Sequence, residues 1–198
     1  MKSVRLRWEH EERYFVGPLA RLLINNRFST PRATALLGVF HEKTASGCSA
    51  LDCIEARLIE MIHCAERISH CAFSMPDSGE VRLEVKPRAG RYTAIIEAPR
   101  GLLVHDYTTD DDGRLTKANL VVATQNNYDA INAAITALTG AHAGRGDDAH
   151  TLMSAEFALR CFDPCLACAT HAVGRMPLSI DMYRKGNLLR TITRRNGS

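Results

Sequence analysis

Residues 163–171 read DPCLACATH. Asp163 and Pro164 together suit a helix opening: the carboxylate can cap the first turn, and proline is tolerated where an N–H has no partner. That reading puts Cys165 and Cys168 on one side of the first turn of a new helix. His171 follows about one turn later. A helix N-terminus favours negative charge, and a thiol with an ordinary pKa of about 8.5 is lowered there by one to several units. Two thiolates at this spacing form a bidentate claw for a soft or borderline metal. From the residues alone other readings stay open. The cysteines could be buried structural thiols beside an incidental histidine. They could hold zinc, with His171 as a third ligand. They could be a redox dithiol, although no thioredoxin-like βαβ pattern surrounds them.

The other cysteines narrow the choice. There are seven in all: Cys48, Cys53, Cys64, Cys71, Cys161, Cys165 and Cys168. An odd number excludes a fully paired disulfide framework within one chain, so reduced thiols or metal ligands are expected. At 198 residues, with 45% hydrophobic and 24% charged residues, the chain reads as one globular domain, with room for a tail. A net charge of +3 is too small to indicate a nucleic-acid partner, and the basic TRRNGS end reads as a solvated terminus. The charged opening MKSVRLRWEHEERYF has no apolar h-region, and no apolar run of about 18 residues exists. Neither a signal peptide nor a membrane span is therefore expected.

Upstream, residues 1–48 show no clean periodicity and read as a charged lead followed by loop-like breaks at Pro18 and Pro31. Residues 49–72 do: Leu51, Ile54, Leu58, Met61, Ala65, Ile68 and Ala72 mark one helix face, with Ser49 as cap. Cys64 and Cys71 are expected to pack as small hydrophobes, and His63 and His70 to share a solvated face. VRLEV (81–85) alternates like a strand. RYTAIIEA and GLLVHDYT flank PRG, DDDG (110–113) marks a turn, and RLTKANLVVAT is a further β-rich run. An antiparallel sheet is expected between 81 and 123. Helices follow at about 126–139, with Thr124 or Asn126 as cap and Gly140 as stop, and at 148–161, across the flexible loop AHAGRGDD. PLSIDMY and NLLRTIT around RKGN add two β-like runs near the end. The fold class is α+β: long helices packed with a small antiparallel sheet.

DPCLACATHAVGRMPL closely resembles the C-terminal motif of nickel-iron hydrogenase large subunits, D-P-C-x-x-C-x-x-H. EAPRGLLVHDYTTDDDGRLTKANLVVATQNN, ARLIEMIHCAERI and VGPLARLLINNRFSTP are similar to further segments of that subunit, in the same order. CATHAVGRMPL most resembles the cytosolic branches linked to nicotinamide, deazaflavin or heterodisulfide partners. The resemblance implies reversible heterolytic cleavage of hydrogen at a Ni-Fe centre with carbon monoxide and cyanide on iron. It assigns Cys165 as the terminal nickel thiolate, which also takes a proton, and Cys168 as the thiolate bridging nickel and iron. His171 becomes the ligand of a magnesium (or iron) ion and the mature C-terminus. Arg100 lies over the open metal position. Pro99 and Arg100 line one cyanide, and Val122, Ala123 and Thr124 surround the other. These residue types suit the chemistry: heterolysis needs a nearby base, and an anionic ligand needs donors such as a guanidinium and a hydroxyl.

The family's first cysteine pair lies in an upstream R-x-C-G-x-C motif, and no such motif is present here. Cys48 and Cys53 match neither its spacing nor its place. The chain thus resembles the C-terminal part of a large subunit: residues 1–171 as part of that domain, and 172–198 as a maturation peptide. A split gene, a shortened reading of a longer gene, or a degenerate paralogue would each give this pattern. The intact cysteine motif, Arg100 and Thr124 favour the first two. The implied partners are an iron-sulfur small subunit, the polypeptide carrying the upstream C-x-x-C if the gene is split, and a maturation endopeptidase, all in the cytoplasm. The alternative is a non-catalytic metal-binding or assembly protein that uses the same claw.

Overall fold

In a computed structural model, residues 4–8, 11–75, 79, 82–140, 147–170 and 179–193 are described. The N-terminal stretch, featureless in periodicity, holds four elements. Strands β1 (Val4–Trp8) and β2 (Glu11–Phe15) form an antiparallel hairpin. Helices α1 (Pro18–Ile24) and α2 (Pro31–Thr44) follow. The two prolines expected to break structure instead begin helices, where a missing N–H removes no bond and a fixed φ is already helical. The inward face of α2 is Ala33, Leu37, Phe40 and Thr44, spaced four, three and four apart.

Helix α3 runs from Asp52 to Ser74. Ser49 donates its backbone N–H (2.6 Å) and its hydroxyl (2.9 Å) to Asp52, which fixes the entry of the chain. The buried face is Asp52, Cys53, Ala56 and Ile59. The expected apolar stripe points elsewhere: Leu51, Leu58, Met61 and Ile68 are exposed. Cys64 and Cys71 are exposed too, not packed as small hydrophobes. His63 is half-buried against the Phe28 ring and bonds the Thr30 hydroxyl at 2.9 Å, whereas His70 is solvated.

Strands β3 (Gly90–Ala98), β4 (Gly101–Thr109) and β5 (Leu115–Val121) form an antiparallel sheet in that order. The DDDG turn closes on Asp110, whose carboxylate accepts the Asp112 and Arg114 N–H groups, with Gly113 at φ 77°. The strand expected at 81–85 is absent from the described part of that segment. Residues 82–89 are irregular, with Leu83 and Val85 exposed, because among the described residues β3 pairs only with β4 and no strand lies across from this segment.

Helices α4 (Ala123–Asn126), α5 (Tyr128–Gly140), α6 (Asp148–Cys161) and α7 (Leu166–Thr170) complete the helical part. Asp147 caps α6 by accepting the His150 N–H. Most of the expected AHAGRGDD loop lies outside the described residues. Strands β6 (Ser179–Arg184) and β7 (Asn187–Thr193) form a hairpin whose two-residue turn, Lys185–Gly186, has positive φ at both positions, as right-handed strand twist favours. An Arg190–Asp148 ion pair ties this hairpin to α6.

The core gathers Phe15, Leu19, Leu22, Leu37 and Phe40 with the buried face of α3, Ala130 of α5 and Cys161 of α6. Each large side chain buried here contributes about 1.5–3 kcal/mol. Among the described residues no helix is long and apolar enough to cross a membrane.

Candidate metal centre

The β3–β4 corner consists of Pro99 and Arg100, closed by the Ala98–Gly101 pairing. Arg100 Nε donates to the Asp163 carbonyl at 2.9 Å and lies 3.0 Å from its carboxylate. Asp163 follows the C-terminal end of α6, where its N–H bonds the Arg160 carbonyl at 3.1 Å. Its φ of 48° is in the left-handed region, which aspartate tolerates better than most residues. The N-cap role expected of Asp163 is therefore not what it does. It ends one helix and pairs with Arg100, and α7 begins only at Leu166.

Thr124 is buried, and its hydroxyl accepts the Cys165 N–H at 3.0 Å. The expected cap for the helix at 126–139 thus bonds a different segment. The α4 entry is secured instead by Gln125, whose side chain accepts the Val122 N–H at 3.0 Å. Ala123 is buried beside it. Two contacts, Arg100–Asp163 and Thr124–Cys165, join the corner and the start of α4 to the cysteine segment.

Cys165 immediately precedes α7 and Cys168 lies in its first turn, with Cα atoms 5.3 Å apart and the two sulfurs joined as a disulfide. That is the oxidised form of the pair; reduced, it offers two thiols at one point. His171 lies outside the described residues. Among the described residues no group of three or more His, Cys, Asp or Glu side chains could hold a metal. Two thiols suit nickel, iron or zinc, but only as half of a four-ligand set. Cys53 is a buried core residue, and burial, with Cys161 nearby, pushes its thiol up to about 12. Burial also raises the Cys161 and Cys48 thiols.

Residues with no functional signal in the sequence hold the corner in place. Gly17 has φ 115°, and a Cβ there would meet the Arg100 carbonyl oxygen at 2.8 Å. Gly101, at φ 127°, would place a Cβ 2.5 Å from Val16. Glycine is needed on both sides of this backbone approach. Buried Asn127 accepts the Val16 N–H at 2.8 Å and donates to the Val16 carbonyl at 3.0 Å. Asp163 carried only a capping signal and Asn127 none. The one available hint was the pair of glycines, in VGP and PRG.

Residues 5–171 match the nickel-dependent hydrogenase family. The chain is similar to the NAD-reducing hydrogenase HoxS subunit beta of Cupriavidus necator: 36% identity over 85% of this chain and 36% of the relative. It is 38% identical to an iron-sulfur subunit of the F420-non-reducing hydrogenase of Archaeoglobus profundus, over 90% of this chain and 38% of that one. A crystal structure of an NAD+-reducing NiFe hydrogenase in the H2-reduced state superposes with a TM-score of 0.68 at 39% identity, over 80% of this chain and 36% of the other. The chain spans little more than a third of the length of these relatives. It belongs to the nickel-dependent hydrogenase family.

Proposed function

We propose that this chain supplies the C-terminal half of the ligand set of a nickel-iron hydrogenase, which cleaves H2 heterolytically and reversibly. The observation that carries the reading is the convergence of three distant stretches: Arg100 on Asp163, Thr124 on the Cys165 amide, and Cys165 against Cys168. In this reading Cys165 and Cys168, once reduced, would hold nickel and iron, the iron with carbon monoxide and cyanide as further ligands. The bound metals supply the electron-pair acceptor that heterolysis requires. The Cys165 sulfur would take the proton, and the Arg100 guanidinium, oriented by Asp163, would face the bound metals. Pro99, Val122, Ala123 and Thr124 form the walls for the ligands on iron. His171 binds magnesium or iron. Residues 172–198 act as the maturation peptide that a dedicated endopeptidase removes. The remaining partners are an iron-sulfur small subunit and the polypeptide segment bearing the other cysteine pair, in the cytoplasm. The apolar stripe on α3, exposed at Met61 and Ile68, supports that last partner, because it is a face awaiting cover.

Elemental analysis of the chain purified with its native partners tests the reading. Nickel and iron together, with infrared bands of iron-bound carbon monoxide and cyanide, are expected. The isolated chain is expected to show no hydrogen uptake, since two thiols leave nickel under-coordinated. A second reading, a metal-binding or assembly protein without turnover, draws on the absence of a third ligand among the described residues. Zinc in place of nickel, with a retained tail in nickel-replete cells, would select it.

A further inference from the structure

The guanidinium of Arg21, on α1, is largely buried and spans three elements. Nε and Nη2 donate to the two Glu60 carboxylate oxygens of α3, each at 2.6 Å. Nη1 donates to Glu97 of β3 at 2.6 Å and to the Ala98 carbonyl at 3.0 Å. Nη2 also donates to the Pro99 carbonyl at 2.8 Å. All five N–H donors of an arginine are thus engaged. Burial alone would lower the pKa of Arg21, but the hydrogen bonds and charges of Glu60 and Glu97 raise it, so it stays charged. Saturated in this way, Arg21 has no donor left for a ligand.

The two carbonyls it holds belong to the residues immediately before Arg100. On the other side, the Arg100 carbonyl lies against Gly17, within the backbone that Asn127 secures. The Arg100 main chain is therefore fixed before and after the residue. The five donors of a planar fork reach two carboxylates and two carbonyls at once; the three donors of a lysine ammonium cannot fill all five bonds.

We propose that Arg21 is a positioning residue for Arg100, binding the β3–β4 corner to the helical core so that the Arg100 guanidinium is aimed before any ligand arrives. What Arg100 then does rests on the hydrogenase reading; that Arg21 aims it does not.

Arg21→Lys in the full chain, purified with its partners, is the test. Amide hydrogen exchange over residues 98–104 is expected to rise about 10-fold, while exchange over α2 stays unchanged. A general loosening would raise both together. In the assembled enzyme, turnover is expected to fall about 10- to 100-fold with KM for hydrogen and nickel content unchanged, as a small misplacement of a positioned group predicts. Exchange over 98–104 that matches the unsubstituted chain in folded Arg21→Lys protein would overturn the proposal. If Arg21→Lys does not fold, Glu97→Ala removes the acceptor of the more exposed arm of the clamp and leaves Glu60 in place. It should raise exchange over 98–104 about 2- to 3-fold, and no change there would equally overturn the proposal. An unsubstituted complex without nickel or turnover would sink the hydrogenase reading alone, because the exchange measurement would still decide the role of Arg21.

Discussion

Helix α3 has two halves with opposite surroundings. Its first half buries Cys53, Ala56 and Ile59 against a core shared with α1 and α2. Its second half carries apolar residues just as regularly, but Met61, Ile68 and Phe73 are 65%, 69% and 91% exposed. The sheet repeats the contrast on its β3 edge, where Ile95 and Ile96 face solvent. One helix thus shows that periodicity reports which face wants burial, and not whether this chain contains what buries it. The chain spans little more than a third of the length of each of these relatives. The corner that carries Arg100 lies at the seam, with Arg21 joining it to the packed half.

The largest effect should separate two phenylalanines. Phe40 is fully buried, and Phe40→Ala removes core contacts and leaves a cavity, at a cost of about 3–5 kcal/mol. Phe73→Ala should stay within about 0.5 kcal/mol. Urea unfolding of the two variants measures both, and equal costs would break the contrast between the halves of the molecule.

A pH effect of intermediate size should come from the packed half of α3. The Cys53 thiol, with an ordinary value of 9.0, is held up near 12 by burial. Between those values the folded chain keeps a proton that the unfolded chain releases. The stabilisation is therefore complete below pH 9 and is lost as pH rises toward 12, at about 1.4 kcal/mol per pH unit. Urea titrations at pH 8 and pH 10.5 should differ by roughly 2 kcal/mol from this group, and Cys53→Ala should remove that share of the difference. In the same samples, native-state alkylation should label exposed Cys64 and Cys71 and spare Cys53.

The two halves also differ in how far the sequence could be read. Local signals sufficed where the partner groups are near in sequence. Helix α6 falls at 148–161, Gly140 ends α5, and the DDDG turn is closed by its own Asp110. The α2 helix was legible in principle, from the 33–37–40–44 spacing behind Thr30-Pro31, but the prolines concealed it. VRLEV has the alternation of a strand, but its described residues, 82–85, have no strand beside them among the described residues, a condition that alternation does not encode. The orientation of α3 failed for a related reason: its most regular stripe is not the one this chain covers. At the candidate site, Cys165 is marked by its own C-x-x-C spacing, whereas the roles of Arg100 and Thr124 come from family resemblance. Their supports, Asp163, Asn127 and Arg21, act through contacts spanning tens of residues, and nothing local announces such contacts.

A smaller loss is expected at the seam. Thr124→Val keeps the shape of the side chain and removes the oxygen that accepts the Cys165 N–H. An amide left without a partner beside a buried position costs about 1–3 kcal/mol. Urea unfolding should show that loss, together with faster exchange of the Cys165 amide. An unchanged amide would mean that the cysteine segment is held by other contacts.

The smallest expected change is the most informative about the open half. Met61→Gln and Ile68→Gln replace exposed apolar side chains on the distal part of α3 with polar ones of similar length. Neither residue contributes to the core of this chain, so urea unfolding should move by less than about 0.5 kcal/mol for either. A core role for either position would cost several times that. The same substitutions should act differently in the assembled large subunit. If the stripe is covered there, each variant loses the transfer free energy of one buried apolar side chain, about 1.5–3 kcal/mol. Association with the segment carrying the other cysteine pair should then weaken roughly 10-fold or more for each. Stability unmoved and association weakened would assign the stripe to the partner. Stability unmoved and association intact would leave it a solvent-facing surface, and the support it lends to a missing half would be withdrawn.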